Sequence, residues 1–156
     1  DRPAGAAVSA ALHLARPEHL EQVLALVAAF HEEQGITQDD TTRHAALAPL
    51  LEGTPYGAIY IIGPTRAPIG YVVMTFSWSV EFGGMDGFVD EIYIRPRVRG
   101  RGIATEVLLE LPKALADAGI TALHLEVDRD NDTAQRLYGR TGFKPRERYM
   151  MMTRRL

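Results

Sequence analysis

Apolar residues recur along the chain with two periods, three-to-four and two, and the changes between them mark out the predicted elements. After a short alternating segment at 11–14, Pro17 and Glu18 suit the first turn of a helix, where a missing amide is harmless and negative charge is favoured. Leu20, Val23, Leu24, Val27 and Phe30 keep helical spacing up to Gly35. Asp39 or Asp40 can cap a second helix running towards Glu52, weakened or bent by Pro49. AIYII at 58–62 and IGYVVMTFSWS at 69–79 read as strands, and Gly63, Pro64, Arg66 and Pro68 between them predict a hairpin. A glycine-rich turn, EFGGMDG at 81–87, leads to the strand FVDEIYI at 88–94, which Pro96 ends. A helix from Gly102 to Ala118 carries Ile103, Val107, Leu108, Leu111 and Leu115 on one face, with Gly119 as its stop. ALHLEV at 122–127 is a further strand, and Asn131 or Asp132 caps a short helix through Arg140, ended by Gly142. Last strands are expected from Phe143 onward and in the terminal YMMMTRRL. The order β-α-α-β-β-β-α-β-α-β predicts an α/β fold with a mixed, mainly antiparallel central sheet flanked by helices.

Composition narrows the chemistry. A chain of 156 residues suits a single domain, expected over 11–156 behind a flexible lead-in at 1–10 that lacks a signal-peptide pattern. The absence of cysteine excludes a disulfide framework, a thiolate-ligated metal and a cysteine nucleophile. His13, His19, His31, His44 and His124 show no metal-ligand pairing, so no metal is expected. No apolar run approaches the roughly 18 residues that span a bilayer, which predicts no membrane partner and a cytoplasmic location.

The net charge of −3 hides an asymmetry: residues 1–78 hold 4 basic and 8 acidic side chains, and 79–156 hold 13 and 12. Four arginines, Arg95, Arg97, Arg99 and Arg101, fall in one run. That run sits between a strand and a helix, as Arg-x-x-Gly-x-Gly. A helix start exposes unsatisfied amides and partial positive charge, and Gly100 and Gly102 let a phosphate approach the backbone closely. No Gly-Lys-Ser/Thr follows, so the loop is not a Walker A motif. A dinucleotide fingerprint fits poorly, because Thr105 stands at the third glycine position and antiparallel strands precede the motif.

Arg97-x-x-Gly100-x-Gly102-Ile103-Ala104 after a strand resembles motif A of the GNAT N-acetyltransferase superfamily. LEVDRDNDTAQRLYGRTGF at 125–143 resembles that family's second signature region, with its Asn, Leu-Tyr pair and terminal Gly-Phe. The element order matches over nearly the whole chain from about residue 11. The resemblance implies a GNAT fold whose strands splay around a cofactor gap. It also implies acetyl-CoA as co-substrate, its pyrophosphate held by amides of Arg99, Gly100, Arg101, Gly102, Ile103 and Ala104, with Thr105 close by. The pantetheine arm would lie along Ile92, Tyr93 and Ile94 like an added strand. Asn131 would contact the cofactor, cap its helix, or do both.

Acetyl transfer to an amine also needs two proton movements. A lysine-like amine lies about 3 units above neutral pH, so freeing its lone pair costs roughly 4–5 kcal/mol. Glu91 and Glu126 lie on the strands that would flank the gap, and either can serve as base or stand as a structural charge. Strict alternation groups Glu91 with Val89 and Tyr93 on one face, opposite Ile92 and Ile94, and His124 with Glu126. His124 falls near the site but reads as a partly buried structural histidine. Tyr138 matches the family position of an acid near the departing sulfur; its alternative is a packed tyrosine bonded to backbone. Trp78, Phe76, Tyr56 and Tyr60 either line an acceptor pocket or belong to the core. Glu32, Glu33, Asp39, Asp40, Glu81, Asp86 and Asp90 would attract a cation, which suggests a polyamine, aminoglycoside, lysine or peptide amine. The resemblance thus implies an N-acetyltransferase with a small-molecule or peptide amine as partner. The alternative is a non-catalytic CoA-binding or regulatory domain. Net acidity argues against a nucleic-acid partner. Homodimers are common in such folds, although no residue here demands one.

Overall fold

A computed structural model describes residues 12–156, so the expected lead-in at 1–10 and the first residue of the following segment lie outside the described residues. The chain divides into two compact units, one through Glu126 and one over Val127–Leu156. The first contains a five-stranded sheet in sequence order: β1 (Leu12–Leu14), β2 (Gly57–Ile62), β3 (Gly70–Ser79), β4 (Gly84–Ile94) and β5 (Leu123–His124). The first four pair antiparallel and β5 joins β4 in parallel, which gives the mixed α/β sheet that the pattern predicts. Helices α1 (Leu20–Gln34) and α2 (Asp40–Glu52) separate β1 from β2, and α3 (Ile103–Asp117) links β4 to β5.

Local chemistry explains the boundaries. Gly35 ends α1 in a left-handed conformation at φ 69°, a geometry that side-chain-bearing residues resist. Asp39 caps α2 by accepting the Thr42 amide at 2.7 Å, and that bond holds its carboxyl below the ordinary range. Pro49 is accommodated inside α2 rather than ending it. Val23, Leu26 and Val27 of α1 and Leu47 and Leu51 of α2 pack with Ile59, Ile61, Tyr71, Val73 and Tyr93 of the sheet. Val72, Met74 and Val89, also buried, face the other side, and α3 brings a buried stripe of Val107, Leu108, Leu111 and Leu115.

Two strand expectations need correction. ALHLEV forms a ladder only at Leu123 and His124, because β5 meets β4 at Gly87 and Phe88 and then loses its partner. No strand forms after Phe143; Met150, Met151 and Met152 are 78%, 62% and 83% exposed, and an apolar run makes no strand without a neighbouring edge to pair with. The second unit holds α4 (Asp132–Arg140), capped by Asn131, whose side chain accepts the Ala134 amide at 3.0 Å.

Candidate active site

The parting of β4 and β5 is the feature that organises the first unit. From Val89 to Ile94, β4 keeps β3 on one side and has no ladder partner on the other among the described residues. Its backbone there is an open edge, able to pair with an extended ligand. Ile92, Tyr93 and Ile94, expected along the pantetheine arm, lie on this edge.

At the end of that edge the chain makes a single turn over Pro96–Val98 and enters α3 through Gly100 and Gly102. Both glycines are left-handed, at φ 78° and 77°, and a Cβ added at either would meet nothing within 4 Å. Gly102 caps α3 without a side-chain bond, and the helix ladder opens with the bond from the Glu106 amide to the Gly102 carbonyl. The Ile103 and Ala104 amides therefore precede the helix ladder, beside Thr105 in the first turn. A left-handed glycine turn that leads into helix amides without ladder partners fits a pyrophosphate. Arg97 and Arg101 flank it and are exposed.

Arg99 is differently employed. Its guanidinium donates to the Ile94 carbonyl at 2.8 Å and to both Glu33 oxygens at 3.0 and 2.7 Å, and it lies 5.5 Å from the centre of the Tyr93 ring. Its amide is already bonded to the Pro96 carbonyl at 3.2 Å. Arg99 fastens the end of β4 to α1, leaving Arg97 and Arg101 as the charges of the run with no partner among the described residues.

The expected grouping of Glu91 with Val89 is wrong, because a β-bulge intervenes. Val73 pairs with Glu91 and its neighbour Met74 pairs with Val89, so Asp90 is the extra residue and Val89 and Glu91 face opposite sides. Glu91 shares its face with Tyr71, Val73 and Tyr93. There its Oε2 lies 2.7 Å from His31 Nε2, and its Oε1 accepts the Tyr71 hydroxyl at 2.8 Å. Arg43 Nε donates to His31 Nδ1 at 3.4 Å and its guanidinium also bonds Asp40 and the Gln38 carbonyl. With Nδ1 accepting, His31 donates from Nε2, so both Glu91 oxygens receive hydrogens. Burial and the Glu91 carboxylate push the Tyr71 hydroxyl far above its ordinary value and keep it a donor. Glu91→Gln would set an amide N–H₂ against one of these donors, with an expected loss of about 1–3 kcal/mol in urea unfolding. A shift under a few tenths would show the pair of bonds to be unimportant.

Asp90, displaced outward by the bulge, is exposed. Partial desolvation, then the neighbouring charges of Glu91 and Glu126, raise its carboxyl above the ordinary value, against a lowering by His31. Sequence reading placed Asp90 only among diffuse acidic groups; a carboxylate beside a second one on a free strand was the available signal. Glu126 is exposed and makes no hydrogen bond among the described residues. His31 is buried. Trp78 and Tyr56 are 71% and 74% exposed and so lie outside the core. The described residues contain no group of three or more potential metal ligands. No helix there is long and apolar enough to cross a membrane.

In the second unit, Tyr138 is half-buried and packs edge-on to Phe143, with ring centres 6.1 Å apart. Burial pushes its hydroxyl above the ordinary tyrosine value. That hydroxyl makes no hydrogen bond among the described residues, unlike the backbone-bonded tyrosine that a purely structural role suggests.

A mixed sheet thus opens beside a glycine-led helix start that has no side-chain cap, an arrangement able to take an extended, anionic ligand. The chain belongs to the acetyltransferase (GNAT) family, whose sequence profile matches residues 20–143. It is similar to a mycothiol acetyltransferase of Nocardiopsis dassonvillei, 30% identical over 117 residues that make up 75% of this chain and 24% of the relative. A thialysine N-epsilon-acetyltransferase of Bos taurus is 31% identical over 74 residues, 47% of this chain and 43% of the relative. The chain spans less than half the length of these curated relatives. Among solved structures, an integron cassette protein from the mobile metagenome of Cole Harbour Salt Marsh superposes at TM-score 0.85 with 26% identity, over 99% of this chain and 96% of that one. An aminoglycoside N-acetyltransferase in complex with CoA shares the fold at TM-score 0.74 and 18% identity, over 93% and 94% of the two chains.

Proposed function

We propose that this chain transfers an acetyl group from acetyl-CoA to a primary amine by direct attack. The observation that carries the reading is the juxtaposition of the open β4 edge with the Gly100–Gly102 entry to α3. On this reading the amides from Gly100 to Ala104, with Thr105 beside them, hold the pyrophosphate, and Ile92, Tyr93 and Ile94 align the pantetheine. Arg99 contributes through position, by fixing the end of β4. Asn131 adds a cofactor contact to its helix cap, as the family resemblance implies. Acetyl-CoA supplies the acetyl group already activated as a thioester.

The acceptor arrives as an ammonium ion and has to lose a proton before its nitrogen can attack. Asp90 and Glu126 supply negative charge that draws such a cation towards the gap. Of the two expected bases, Glu91 is an anchor with both oxygens bonded, whereas Glu126 keeps its oxygens available for a proton, directly or through water. Tyr138, by family resemblance, protonates the departing thiolate. The N-epsilon specification in the bovine relative's name favours an amine nitrogen as acceptor. A panel of a polyamine, an aminoglycoside, lysine and a peptide amine, with thiol release followed from acetyl-CoA, tests the reading. Thiol release with at least one amine is expected. Tight acetyl-CoA binding without release across the panel would instead establish a non-catalytic CoA-binding domain.

A further inference from the structure

Asp86 and His124 form a pair that neither the phosphate cradle nor the Glu91 anchor uses. His124 is the last residue of β5 and pairs with Phe88, so it stands where the two strands part. Asp86 lies two residues before Phe88 on β4 and, by the period of a strand, shares its face. His124 Nε2 is 3.0 Å from Asp86 Oδ2, and the Phe82 ring lies 5.1 Å from the imidazole, centre to centre. The two side chains keep 26% and 16% of their surface.

Two atoms of this pair are left over. Asp86 Oδ1 is buried without a hydrogen-bond partner, and His124 Nδ1 makes no hydrogen bond among the described residues. A carboxylate only accepts, so its bond puts the hydrogen on Nε2, and the neutral ring then carries its lone pair on Nδ1. A carboxylate that fixes an imidazole in this tautomer prepares the far nitrogen to take a proton.

We infer that His124, oriented by Asp86, takes the first proton from the acceptor ammonium, ahead of Glu126. This rests on the acetyl-transfer reading and changes the identity of the base within it. The ammonium N–H breaks and its proton goes to Nδ1. The freed lone pair forms the N–C bond to the thioester carbon, while the C–S bond breaks and its electron pair leaves with sulfur. The nitrogen releases a second proton as the amide forms, which balances the one taken up by the thiolate. His124 returns its own proton to water, leaving Glu126 to attract the cation.

The test uses the full chain, with His124→Gln, His124→Ala and Asp86→Asn, and the best amine of the panel. Turnover of His124→Gln should fall about 30-fold, less than the full effect of a general base because Glu126 remains. Acetyl-CoA affinity by calorimetry should stay within about twofold. Asp86→Asn should lose about tenfold through loss of tautomer control. Added imidazole should restore part of the rate of His124→Ala, a rescue that a structural tie would not show. Should His124→Gln melt below the assay temperature, Asp86→Asn and the imidazole rescue decide the matter. A folded variant turning over within about threefold of the parent, or no rescue, overturns the inference while leaving acetyl transfer intact. Silence of the parent across the panel overturns the acetyl-transfer reading, and this inference with it.

Discussion

Gly102→Glu is expected to weaken acetyl-CoA binding by more than about 100-fold, equivalent to roughly 2.8 kcal/mol. Gly102 is the left-handed entry to α3, at φ 77°, and a Cβ there meets nothing within 4 Å. The substitution therefore adds backbone strain of roughly 1–2 kcal/mol but no collision within the fold. Its carboxylate would sit beside amides that lack helix partners, bind them as a cap, and repel the incoming pyrophosphate. Gly102→Ala separates the contributions, since it carries the strain without the charge and should lose much less affinity. Arg99 cannot compensate, because its guanidinium is bonded to Glu33 and to the Ile94 carbonyl. Calorimetric titration with acetyl-CoA, alongside thermal melts of both variants, measures this. Unchanged affinity in a folded Gly102→Glu protein would remove the cofactor assignment itself.

What sequence could reveal divides along the line between local and non-local causes. The Gly35 helix stop, the Asp39 cap, the hairpin between β2 and β3 and the arginine–glycine entry to α3 depend on a few consecutive residues, and all were legible. The bulge at Asp90 depends on how Val73 and Met74 meet a different strand, and period-two alternation has no means of registering an extra residue. The same limit applies to β5: LHLEV has strand chemistry throughout, but only Leu123 and His124 find a partner before the sheet opens. Arg99 and His31 show the limit at the level of side chains. Within its own segment Arg99 looks like phosphate-binding charge, yet Glu33, 66 positions away, claims it. His31 lacks any suggestive neighbour in sequence, yet Glu91 lies 2.7 Å from it. Residue types and the glycine-led entry to α3 were thus readable, whereas the division of labour among the charged groups required the fold.

Tyr138→Phe should reduce turnover about 100-fold while acetyl-CoA affinity stays within about twofold. The substitution keeps the ring, and hence the edge-on packing against Phe143, and removes only a hydroxyl that has no hydrogen-bond partner among the described residues. Stability should consequently change little, because no protein donor or acceptor is orphaned. The direction of the pKa shift also bears on the role. Burial raises the Tyr138 hydroxyl above the ordinary tyrosine value, so it keeps its proton at neutral pH. A group that must donate to a thiolate gains from this, because the donor form persists. Parallel kcat and binding measurements on the phenylalanine variant are decisive. Equal losses in turnover and affinity would assign Tyr138 to cofactor binding, and unchanged turnover would deny it a part in the chemistry.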